Sequence, residues 1–224
     1  FCARILRRFP LEAGVLPGFS EIEEDEAQAI WATVRADAVL KARRDAPDAL
    51  AVLALEGGHD GADAALDAMR HRAHAFLEFA AANAYEPEQM RGALIEELNA
   101  PESGPADILE QAMGPDMPEG ALREALISLR ASGKRDDTRT ANAVEAALHE
   151  TDPERRWACY KGAFFGAQGN PYKSLFNAEA GKDANVVALF GTKDEIGSEV
   201  LRVHDVSARL KLAAAVERTT ALIR

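Results

Sequence analysis

The sequence predicts an all-α protein, an irregular multi-helix domain ending in one long helix. Three observations predict it. Ala, Leu, Glu and Arg, which cost little to hold in a helix, dominate the chain. Apolar residues return every three or four positions in most stretches, and no stretch alternates apolar with polar long enough to demand a sheet. Prolines and glycines fall between these periodic stretches, where helices start and stop.

Phe1–Phe9 reads as a helix ending before Pro10, and 11–18, with Gly14, Pro17 and Gly18, reads as a connector. The run Glu23-Glu24-Asp25-Glu26 suits the positive end of a helix whose apolar positions Ala27, Ile30, Trp31, Val34 and Val39 continue to about Arg44. Pro47 opens a short helix to Leu55, closed by Gly57-Gly58. From Asp60 to Asn83 the positions Leu66, Met69, Ala73, Phe76, Leu77 and Ala80 predict a single helix. Pro87 opens the next, with Met90, Leu94, Ile95 and Leu98 inward, and Pro101, Gly104 and Pro105 end it.

Two short helices follow within 106–133, split at Gly114-Pro115-Asp116-Met117-Pro118, and both need tertiary packing to persist. Thr138–Glu150 resumes with Ala141, Val144, Ala147 and Leu148. Asp152-Pro153 is a helix start, an acceptor cap followed by a proline that needs no partner for its nitrogen. Trp157, Tyr160 and Phe164 share the face of that helix, and Gly166–Pro171 breaks it. Tyr172–Phe176 reads as extended and Ala180–Phe190 as a short helix. From about Glu195 the stripe Ile196, Val200, Val203, Val206 or Ser207, Leu210, Ala214 and Glu217 predicts a helix roughly 45 Å long, the length of a strut to another body.

The chain has 224 residues, with 26 Lys and Arg against 37 Asp and Glu, a formal charge of -11. That balance favours solubility and excludes a general nucleic-acid coat. Its distribution is uneven: residues 1–150 hold 15 basic and 28 acidic residues, residues 151–224 hold 11 and 9. A polyanion partner is therefore sought on the last third or at Arg4, Arg7 and Arg8. Two cysteines, Cys2 and Cys159, give no disulfide framework and fit a reducing, cytoplasmic setting. No apolar run approaches the roughly 20 residues that cross a bilayer, so no membrane partner is expected.

Catalytic machinery is not legible, and no cofactor or metal is expected in this chain itself. Gly166–Lys173 carries glycines ahead of a lysine but lacks the Gly-Lys-Ser/Thr ending of a phosphate-binding loop. His71, His74 and Glu78 share a helical face, a spacing that any polar helix supplies without zinc. The acidic run at 21–26 is explained by its place at a helix start, and Trp31, Trp157, Tyr160, Phe164 and Phe165 read as core rather than a stacking platform. The DNA-contact candidates are Lys161, Lys173, Lys182, Lys193, Arg4 and Arg8, because phosphate contacts ask for accessible cations. A lysine on a solvated face is the plainer explanation for each.

Two separated stretches resemble one family. The opening Phe1–Val15, followed by Pro17-Gly18-Phe19 and the acidic run, resembles the segment just after the Thr-x-His helicase motif of the AddA family, in its alphaproteobacterial form. Tyr160, Lys161, Ala163, Phe164 and Phe165, then Gly169 and Pro171-Tyr172-Lys173-Ser174-Leu175, resemble the part where that family's helical insertion returns toward the motor, with 209–222 as the end helix. Between Ala46 and Glu150 the likeness is in character rather than residues. AddA proteins are helicase-nuclease subunits of bacterial double-strand-break repair, built on a UvrD/Rep-like superfamily 1 motor. The resemblance implies that 1–224 is a single helical 1B insertion subdomain, a piece of a longer polypeptide. Residues 1–10 and about 210–224 would be its edges toward the motor. It implies a parent that unwinds and degrades DNA with ATP and magnesium, an AddB-like partner subunit, and a duplex or duplex/single-strand junction close by. No residue here matches the parent's ATP, magnesium or nuclease positions. The expected role is an accessory DNA-facing or scaffolding one; the alternative is a helical domain that contacts only protein.

Overall fold

A computed structural model describes residues 8, 9, 12, 20, 22–55, 58–166, 170–192 and 195–223, with backbone alone at 55 and 58–62. The described residues form eleven α-helices and one short 3-10 turn, with no strand. The all-α expectation and the long last helix both hold. The chain divides into two compact units, Phe1–Leu77 with Arg224 and Glu78–Ile223.

In the first unit, α1 (Glu24–Asp45), α2 (Pro47–Leu55) and α3 (Gly58–His71) follow one another. Three acidic residues in the first turn of α1 and Arg43 and Arg44 in its last complement the helix dipole at both ends. The turned-in face differs from the expected one. Ala27, Trp31, Arg35 and Val39 are half-buried, while Ile30 and Val34 are exposed. Trp31 Nε1 donates to Asp67 at 2.9 Å and Arg35 pairs with Asp63 at 3.3 Å, so α1 is tied to α3 through polar links on its inward face. Arg70 lies over the Trp31 ring at 5.4 Å. Gly58 opens α3 instead of closing α2. The single helix expected over 60–83 is two, α3 and α4 (Ala73–Ala82), separated at Arg72, whose N–H turns back to the Met69 carbonyl at 3.1 Å in a tightened last turn. The expected helix over Phe1–Phe9 falls outside the described residues except at Arg8 and Phe9.

The second unit holds the main core. Its helices are α5 (Pro87–Leu98), α6 (Pro105–Met113), α7 (Glu119–Ser132), α8 (Arg135–His149), α9 (Pro153–Lys161), α10 (Ala184–Phe190) and α11 (Ser198–Ala221). Proline stands first in α5 and α9, as read, and also in α6, where Pro105 opens the helix instead of only ending the one before. Asp152 caps α9 by accepting from the Arg155 N–H at 2.9 Å. Asn99 ends α5 in the left-handed conformation, which asparagine tolerates better than most side chains. The segment 180–190 is a 3-10 turn, Ala180–Lys182, and then α10. Asp183 interrupts it because its carboxylate accepts from the N–H groups of Asn185 and Val186 and so starts a new helix.

One contiguous core joins α6 to α11. Leu122, Leu129, Val144, Tyr160, Val186 and Val203 are buried to 1% exposure or less. The last helix has 24 residues, about 36 Å, and packs along its length on α5, α6 and α10 instead of projecting as a strut. It begins at Ser198, not Glu195, because Gly191 and Ile196 form an isolated antiparallel bridge that closes a tight loop first. A Cβ at Gly197 would lie 2.3 Å from both the Gly191 nitrogen and the Leu189 oxygen. Gly197→Ala is therefore expected to lower unfolding stability by about 2 kcal/mol, through backbone that must move. Urea titration followed by far-UV circular dichroism reads this out.

Candidate nucleic-acid interface

The aromatic, glycine and lysine-rich stretch singled out in the sequence becomes a loop fastened at both ends. Its first end is α9. Tyr160 is fully buried and donates its hydroxyl to Glu199, itself 3% exposed on α11. Arg202 Nε and Nη2 donate to the same carboxylate at 2.7–3.0 Å, and its Nη1 donates to the Ala112 carbonyl of α6 at 2.7 Å. Burial, the Glu199 charge and the hydrogen bond to it push the Tyr160 phenol well above its ordinary range. Burial alone would lower Arg202, but the bonds and charge of Glu199 outweigh it and the guanidinium is held up. Phe164 meets Tyr160 edge to face at 5.2 Å, and Phe165 meets His204 of α11 at 5.4 Å. Trp157, Tyr160 and Phe164 are thus core, as the sequence suggested.

The chain then reverses. Phe165 and Pro171 form an antiparallel bridge, with Gly166 N–H bonded to the Asn170 carbonyl and Tyr172 N–H to that of Phe164, both at 2.9 Å. These amides are spent within the loop, and Lys173 leads into irregular chain rather than a helix. A cradle for an ATP phosphate does not fit such a loop, and no step through ATP or magnesium is assigned to these residues.

The far end is fastened to α8. Arg139 Nη2 donates to the Ser174 carbonyl at 2.9 Å while its guanidinium lies over the Tyr172 ring at 3.7 Å. Thr140 Oγ1 donates to the Leu175 carbonyl at 2.5 Å. Fully buried Asp137 accepts from the Asn177 N–H at 2.6 Å and from the Ser132 hydroxyl. Residues 172–177 are therefore not a free extended strand. The Ser174 and Leu175 carbonyls and the Asn177 amide are satisfied by side chains of one helix.

Lys161 and Lys173 stand exposed on the two limbs of this loop, and neither has an ion-pair partner among the described residues. Three other cations of the last third are committed. Lys182 Nζ lies 3.0 Å from both Glu179 oxygens, Arg156 pairs with Glu119, and Arg202 is buried with Glu199. The Lys182 pair is open to solvent, where such pairs contribute little and exchange readily with other anions. Arg8 belongs to the first unit and lies over the Phe9 ring at 5.6 Å. Arg4 and Lys193 fall outside the described residues. Arg155 and Lys211 are further exposed cations without an ion pair among the described residues, and only their basic character marks them in the sequence. Arg139 was also missed, since its only local partner, Asp136 at 3.1 Å, is an ordinary i,i+3 pair among the described residues, and its contacts to the loop, Ser174 and Tyr172, lie more than thirty residues away.

Beside Lys173 a half-open cavity of about 720 Å³ is lined by Leu175, Phe176, Phe190, Ile196 and Val200, with Thr192 and Glu195 also on its wall. Ile196, expected on the buried stripe, is 68% exposed at this opening. Comparison with family models, curated proteins and solved structures found no match. Among the described residues no His, Cys, Asp and Glu side chains gather as a metal site, and no helix is long and apolar enough to cross a membrane.

Proposed function

We propose that this chain is the helical 1B insertion subdomain of an AddA-like superfamily 1 helicase-nuclease subunit, cytoplasmic, acting in double-strand-break repair and recombination. In this reading it presents the loop between Lys161 and Lys173 to duplex DNA ahead of the motor. The resemblance in the opening segment and in Tyr160–Leu175 supports the family. The observation that carries the DNA-facing role is the pair of lysines without an ion-pair partner among the described residues, on flanks held by Tyr160 on one side and by Asp137, Arg139 and Thr140 on the other. Flanks already tied to the core reduce the backbone entropy lost when the two lysines meet phosphate. The chain performs no chemistry in this account. ATP and magnesium would be held by the motor of the parent protein, and the AddB-like subunit would be its partner.

The test is fluorescence anisotropy of a labelled duplex with a single-stranded tail, titrated at low and moderate salt. Weak binding that falls steeply with salt is expected. The Lys161→Glu/Lys173→Glu variant should lose at least about tenfold in affinity, and its log–log salt slope should flatten by about two. Unchanged helicity in that variant separates lost contacts from lost fold. Binding insensitive to both substitutions contradicts the proposal.

A second reading, a domain that contacts only protein, draws on the apolar cavity beside Lys173 and the exposed Ile196. It expects no response to DNA at any salt concentration. Substitution of Ile196 by Asp would then weaken docking to the AddB-like subunit.

A further inference from the structure

We infer that the outer face of α1 is a self-association surface, on which a second copy of this chain docks antiparallel about a two-fold axis at residue 35. None of the 22 residues of α1 is buried, an unusual exposure for a helix of that length. Its inward residues, Trp31 and Arg35, are already tied to Asp67 and Asp63, so the other side is what remains uncovered. On that side Glu26, Ile30, Thr33, Asp37, Leu40 and Arg44 recur at alternating spacings of four and three, the seam of a two-helix coil, and all six are exposed. Ile30 is 48% exposed and Leu40 62%.

The seam matches its own reverse. Each couple equidistant from residue 35 is complementary: Glu26 with Arg44, Ile30 with Leu40, and Thr33 with Asp37. Laid antiparallel on a second copy, the helix sets an acid against a base at each end. Isoleucine meets leucine one step in, and a hydroxyl meets a carboxylate on either side of the axis. An isologous two-fold contact requires that each residue's partner also be its reciprocal, which this order provides. A parallel arrangement would instead place Glu26 on Glu26 and Arg44 on Arg44. Among the described residues Arg44 reaches only its neighbour Asp45, at 2.7 Å in open solvent, and is available for exchange. The polar central layer fixes register at some expense in affinity. A weak dimer follows, with a dissociation constant of roughly 100 μM.

Sedimentation equilibrium of the whole 224-residue chain over a range of concentrations tests this. Glu26→Arg and Arg44→Glu, made singly, should each weaken the dimer about tenfold by setting like charges together at both ends. The double variant Glu26→Arg/Arg44→Glu restores each couple with signs exchanged and should recover most of the association. Asp25→Arg, on the same turn but off the seam, controls for the charge preference of the helix start. Rescue by the double variant supports the antiparallel pairing. A chain that stays monomeric up to about 1 mM overturns the proposal and leaves this face for a different protein. A dimer indifferent to the single variants, or not rescued by the double one, overturns it equally.

Discussion

Replacing Arg202 by alanine should lower unfolding stability by about 3–5 kcal/mol, the largest effect expected of any single change in the described residues. Glu199 is 3% exposed and receives Arg202 and Tyr160 together. Without the guanidinium, a carboxylate is left in the core with only a phenol for company, and the Ala112 carbonyl loses its donor. Tyr160→Phe removes one hydrogen bond from a charged acceptor and should cost about 1.5–3 kcal/mol. The triple change Tyr160→Phe/Glu199→Leu/Arg202→Met, which removes all three polar groups together, should be far milder than Arg202→Ala, because no buried charge is stranded. Urea titrations of the four proteins decide this, and equal losses for the single Arg202 and triple variants would refute the account.

The same cluster gives a pH dependence whose sign is fixed. Burial first, and then the charge and hydrogen bond of Glu199, raise the Tyr160 phenol above its ordinary value of 10.0. Between that value and the raised one the folded chain binds a proton that the unfolded chain has released. The stabilisation is therefore complete below about pH 10 and is lost as the pH climbs above it. Wild type should lose stability in that alkaline range more steeply than Tyr160→Phe, in urea midpoints measured side by side.

Asp137→Ala is the second large effect, about 3 kcal/mol, because two donors lose one buried charged acceptor. Its consequence should be concentrated in the loop. Residues 172–177 are held by three neighbouring side chains of α8, of which Asp137 and Thr140 are fully buried. Trypsin should cut after Lys173 about tenfold faster in the variant under conditions where the global fold persists. DNA affinity should fall as well, although both lysines remain, because their platform has loosened. Unchanged cleavage and unchanged binding would show that Asp137 does not hold the loop.

Helix starts were legible where chemistry marks them locally: Pro47, Pro87 and the Asp152-Pro153 pair lead into observed helices. The break at Arg72 was not legible, since no glycine, proline or cap residue announces it. Asp183 did carry a cap signal but lies within a sequence whose apolar residues run across it. The stripe of the last helix holds at Val203 and Val206 but fails at its ends: Ile196 precedes the helix, Glu199, a carboxylate, takes a buried place, and Ala213 and Val216 are buried where Ala214 and Glu217 were read. Glu199 and Arg202 sit three apart, a spacing indistinguishable in sequence from an ordinary solvated pair. What buries them is Tyr160, 39 residues away. The loop between Lys161 and Lys173 was visible as a helix break over Gly166–Pro171 ahead of a lysine. Its fastening to α8 was not, because the hydrogen bonds run from helix side chains to backbone groups about 35 to 40 residues distant.

Hydrogen exchange of the chain, alone and with a tailed duplex at low salt, tests the proposed DNA surface most directly. Protection confined to peptides spanning 161–177, and abolished in Lys161→Glu/Lys173→Glu, is the predicted result. Protection elsewhere with none in that span, or no protection at saturating duplex, would contradict the assignment of this loop to DNA.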